Sequence, residues 1–67
     1  MIVEIADDIQ GSPRFIYYQV TDDFGVIHNY GPVITSDPAF DAEAHKTVVL
    51  VKVSAALAEA EFNQVIG

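Results

Sequence analysis

The sequence predicts an α+β domain: a small antiparallel β-meander of three strands followed by one long C-terminal α-helix. Three observations predict it. Residues 14–22, RFIYYQVTD, alternate as a strand does, with Ile16, Tyr18 and Val20 on one face and Phe15, Tyr17, Gln19 and Thr21 on the other. Asp22-Asp23-Phe24-Gly25 then supplies turn formers and a glycine, the signature of a short hairpin loop. Finally, no Gly, Pro, Asn or Asp interrupts the chain between Asp41 and Asn63, so nothing punctuates a long helix.

In chain order, the first strand is expected over residues 2–9, where Ile2, Val3, Ile5 and Ile9 are β-branched and Gln10-Gly11-Ser12-Pro13 closes the run. The second covers 14–22. The third runs over 26–35, with Gly31-Pro32 marking an edge or a bend, because proline cannot donate to a ladder. Ser36-Asp37-Pro38 reads as a helix start in which Asp37 caps and Pro38 takes the first helical position. Asp41 and Glu43 favour the positive end of the dipole, and the helix is expected over about 38–64 in the single domain 1–67. The β-branched run Thr47–Val53 leaves a fourth strand as the alternative.

Placed on a helix, Ala44, Val48, Val51, Ala55, Ala58, Phe62 and Val65 form one apolar stripe with Phe40 beside it, expected to face the sheet. A second set, Val49, Val53, Ala56 and Ala60, flanked by Leu50 and Leu57, lies on roughly the opposite side. Two polar seams separate the stripes: Asp41, His45, Lys52, Glu59 and Asn63 on one side, Glu43, Ser54 and Glu61 on the other. One small sheet cannot cover both stripes. Val49, Leu50, Val53, Ala56, Leu57 and Ala60 are therefore the expected protein interface, with small Ala56 and Ala60 letting another helix approach. In the alternative, Val49, Leu50 and Val53 lie under the Gly31–Asp37 connection of the same chain.

Composition narrows the class of function. A chain of 67 residues buries only about 60% of its unfolded surface, so its core is marginal. It has no cysteine, which removes disulfides, zinc-thiolate sites and thiol nucleophiles and leaves association with other chains as the staple. The net charge of -7 disfavours nucleic acid and anionic membranes as partners. The start MIVEIADD lacks the pattern of a signal peptide, and the apolar run at 47–58 is too short to span a bilayer. The expected setting is a cytoplasm or a particle assembled there.

No catalytic, cofactor or metal motif stands out. His45 and Asp41 have an i, i+4 spacing that suits two metal ligands, but two ligands are not a site. The letters DFG at 23–25 lack every other kinase element and read as turn chemistry. Asp7-Asp8 and Asp22-Asp23 read as solvated doublets, and no serine has a histidine base in a recognisable pattern. The aromatic concentration of Phe15, Tyr17, Tyr18, Phe24 and Tyr30 fits core filling, and the face carrying Phe15 and Tyr17 is a second expected contact surface. An unpaired strand edge offers a third route to association.

The run VTDDFGVIHNYGPVITSDPAFDAEAHK, Val20 to Lys46, resembles the short accessory open reading frames in structural-gene clusters of tailed bacteriophages. The shared pattern is a strand, an acidic-glycine turn, a second strand, a DP helix start and an Ala/Val-rich helix. The resemblance implies a small head or tail component present in many copies and ordered by its neighbours. It assigns no residue a role. The expected function is thus a non-enzymatic structural or interaction protein, with an acidic binding protein or inhibitor of a basic partner as the alternative.

Overall fold

A computed structural model describes residues 1–66, with side-chain surroundings through Ala60. Strands β1 (Ile2–Ile9), β2 (Arg14–Thr21) and β3 (Ile27–Thr35) precede helix α1 (Lys46–Ile66). The strands form one antiparallel sheet in the order β1-β2-β3, so β2 is central and both neighbours are edges. This is the expected α+β meander, and the run Thr47–Val53 is helical.

The β2–β3 hairpin closes on Asp22, whose main chain bonds Val26 and Gly25 and whose Oδ1 accepts from the N–H groups of Phe24 and Val26 at 2.8 and 2.9 Å. Gly25 has a φ of +82°, a conformation open to glycine at little cost. The core lies on one face of the sheet, where Ile16, Tyr18 and Val20 meet Ala42, Val49 and Val53. Val3, Ile5, Tyr30, Val33, Phe40 and Leu57 pack around them.

Two bulges shift which side chains reach that core. In β1 the pairing passes from Ile5–Tyr18 to Asp7–Tyr17, leaving Ala6 without a partner. In β3 it passes from Tyr30–Tyr18 to Val33–Ile16, so Gly31 and Pro32 together oppose Tyr17. An extra residue inverts the in-out alternation of everything beyond it. Asp8, opposite Ile16, and Thr35, opposite Arg14, therefore sit on the core side, where Asp8 accepts from Arg14, while Ile9 and Ile34 are turned to the other face. Gly31 is required at its bulge: its φ is +130°, and a Cβ there would lie 2.9 Å from the Ile16 carbonyl oxygen.

The helix begins at Lys46, not near Pro38 as expected. Residues 37–45 form two successive turns instead. Asp37 Oδ1 accepts from Ala39 N and Asp41 Oδ1 from Ala44 N, at 2.9 and 3.1 Å. The sheet accounts for the delay, because it takes the carbonyls that a helix would need. Arg14 donates to Phe40 O at 3.1 Å and the Tyr18 hydroxyl to Ala42 O at 2.9 Å. Their i+4 partners turn elsewhere: Ala44 N to Asp41, and Lys46 N to the Glu43 carbonyl.

The stripes are also exchanged. The second set, not the first, faces the sheet: Val49 is 0% exposed and Val53 8%, whereas Val48 is 41% and Val51 63% exposed. Ala44, Ala55 and Ala58 are exposed as well. Val49 and Val53 meet Ile16, Tyr18 and Val20 in the core, with Leu57 packed against them. The expected stripe members Phe62 and Val65, and the seam residues Glu61 and Asn63, lie outside the described side chains.

Candidate interaction surface

The face of the sheet opposite α1 is left open by the described residues, and strand pairing organises it into rows. At one end Ile9, Phe15 and Ile34 stand side by side across β1, β2 and β3, followed by Asp7 and Tyr17 against the Gly31-Pro32 bulge. Next comes a polar row of Glu4, Gln19 and Asn29, and at the far end Ile2, Thr21 and Ile27. The four isoleucines are 48–60% exposed, and Tyr17 is 37% exposed. Scattered apolar side chains are ordinary on a surface, but rows of them in register on one sheet face are not.

The interface set expected at Val49, Leu50, Val53, Ala56, Leu57 and Ala60 is divided by the structure. Val49 and Val53 belong to the core and Leu57 packs against it, so these three are committed within the chain. Leu50 is half-buried, while Ala56 and Ala60 are exposed. The apolar helix surface that remains outward is Val48, Val51, Ala55 and Ala58, the stripe first expected to cover the sheet. At the hairpin tip Phe24 stands almost fully exposed beside an open cleft lined by Leu57, Ala58 and Ala60 of the helix.

The polar groups serve the fold. Arg14 donates through Nε and Nη2 to both carboxylate oxygens of Asp8, and this pair holds the Asp8 carboxyl below its ordinary pKa. His28 Nε2 lies 2.9 Å from Asp22 Oδ2. That contact, with the backbone donors of Val26 and Phe24, lowers the Asp22 pKa. Burial raises the pKa of the Tyr18 hydroxyl, which spends its proton on Ala42 O. His45 sits against the rings of Phe40 and Tyr18, at centroid distances of 5.1 and 6.1 Å. Among the described residues, no group of three or more His, Asp or Glu side chains is placed to hold a metal ion. No helix there is long and apolar enough to cross a membrane.

The apolar rows follow from pairing that the sequence does not spell out, since Ile9 and Ile34 reach Phe15 only through the two bulges. The available signal was Gly31-Pro32, which marks an irregularity in β3. Nothing comparable flags Ala6. Compared with known proteins, the chain matches no family model, no curated protein and no solved structure.

Proposed function

We propose that this chain is a non-enzymatic structural or interaction protein that assembles with other protein chains through apolar surface. The observation that supports the reading is the open sheet face, where two apolar rows bracket the polar one in a chain whose other face is spent on its own helix. The resemblance over Val20–Lys46 supports a reading as a phage head or tail component used in many copies. The outward helix stripe of Val48, Val51, Ala55 and Ala58 supplies a second contact, so one copy can touch two neighbours.

Native mass spectrometry with and without co-expressed neighbouring gene products tests this reading. Incorporation into a larger particle, or a homo-oligomer, is the expected result; a free monomer under both conditions removes it. The second reading, an acidic protein that binds a basic partner, draws on Glu4 and Asp7, which project from the same open face. An apolar assembly survives raised salt, whereas a charge-steered complex weakens.

A further inference from the structure

Resting on the interaction reading above, we infer that the outward stripe of α1 docks on the same stripe of a second copy of this chain, with the two helices antiparallel about a two-fold axis that passes between Ala55 and Ala58. Spacing selects a helix as the occupant, and charge selects its direction.

Val48, Val51, Ala55 and Ala58 follow one another at intervals of three, four and three, and the sequence extends the repeat to Phe62 and Val65. This is the two-per-heptad spacing of a seam between helices, which keeps one narrow line of side chains facing a partner over several turns. A helix face that covers a sheet is wider. Val51 is 63% exposed and Val48 41%, and Ala55 and Ala58 are exposed between polar edges. With alanines at the centre of the seam, a second helix axis can approach to about 8 Å.

Lys52 and Glu59 lie on one edge of this seam, each directly after a seam residue and seven positions apart. Both are exposed. Of the chain's three basic side chains, Arg14 pairs with Asp8 and Lys46 with Glu43, whereas Lys52 makes no ion pair among the described residues. Neither Lys52 nor Glu59 has an opposite charge three or four positions away, so α1 does not neutralise them itself. A parallel second helix would set Lys52 beside Thr47 and Glu59 beside Ser54. An antiparallel one brings like edges together. With Ala55 packed on Ala58 of the second copy, Lys52 falls against Glu59 of that copy, and the two-fold axis makes the reciprocal pair at the same time. One register thus satisfies the apolar seam and both lone charges. The complement of the patch is the patch itself, which makes the occupant a second copy.

Sedimentation equilibrium on the full chain, from micromolar to about millimolar, tests the inference. The expected species has twice the 7.3 kDa chain mass. Val51→Glu should weaken it at least about 100-fold while circular dichroism stays that of the wild type, the side chain being exposed in the monomer. Glu59→Lys and Glu4→Lys each replace one negative charge by one positive, so the net charge goes from -7 to -5 in both, the second on the open sheet face. Glu59→Lys should associate several-fold more weakly than Glu4→Lys, because it sets a lysine against Lys52 of the second copy. Lys52→Glu combined with Glu59→Lys keeps the charge at -7 and should restore wild-type association. Four results would overturn the inference: a wild-type monomer throughout, a dimer indifferent to Val51→Glu, Glu59→Lys no weaker than Glu4→Lys, or a double swap that stays as weak as Glu59→Lys alone. A wild-type monomer that still enters a particle with co-expressed neighbours would sink the second copy as partner and leave the interaction reading standing.

Discussion

Tyr18 joins the sheet to the chain that leads into the helix. Its ring is buried at the centre of β2, and its hydroxyl donates to the carbonyl of Ala42. Tyr18→Phe keeps the ring and abandons that carbonyl, so it should cost about 1–3 kcal/mol in urea denaturation. A variant as stable as the wild type would show that water reaches Ala42 O. Asp22 organises the hairpin in a comparable way, by accepting two backbone bonds and the His28 contact. Its pKa is lowered in the folded state, as is that of Asp8 beside Arg14. A depressed carboxyl pKa contributes stability above the ordinary value of 3.8, and that stability is lost as pH falls through the folded value. Unfolding on acidification should therefore begin below about pH 4, and Asp22→Asn should lower stability at pH 7 while flattening the acid limb. A steeper acid limb in Asp22→Asn would contradict the assignment.

At the level of elements, the helix shows where sequence reasoning holds and where it stops. The three strands were legible to within a residue or two, because alternation, the Asp22–Gly25 turn and the prolines are all local signals. The helix start was not. Ser36-Asp37-Pro38 has the letters of a cap, but Arg14 and Tyr18 capture the carbonyls of Phe40 and Ala42, which is a tertiary event. The choice of buried stripe was not legible either, since both stripes carry large apolar side chains and only tertiary packing commits Val49, Val53 and Leu57 to the sheet. The expected interface residues lost Val49, Val53 and Leu57 to the core in this way, and the sheet face gained Ile9 and Ile34 through bulges that alternation cannot foresee. Val49→Ala should accordingly cost about 2 kcal/mol, against less than about 0.5 kcal/mol for Val51→Ala. Paired denaturation curves check this, and a larger cost for Val51→Ala than for Val49→Ala would return the helix to the orientation first expected.

For the whole molecule, the proposed association through apolar surface must work against a charge of -7 on every copy. That figure already counts Arg14 and Lys46, which pair with Asp8 and Glu43, so the copies repel one another at a distance. The repulsion is long-ranged and screened by salt, with a Debye length of about 10 Å at 0.1 M and about 3 Å at 1 M. Contacts between exposed apolar side chains such as Ile9 and Ile34 and a partner are short-ranged and indifferent to that screening. Raising sodium chloride from about 0.05 to about 0.5 M should thus tighten self-association, by roughly three- to tenfold in dissociation constant. The sign is the informative part. A complex with a basic partner relies on attraction, so the same salt would weaken it. Sedimentation equilibrium of the chain alone across that salt range measures the slope directly. Self-association that weakens with salt would mean that charge, not apolar surface, holds the copies together.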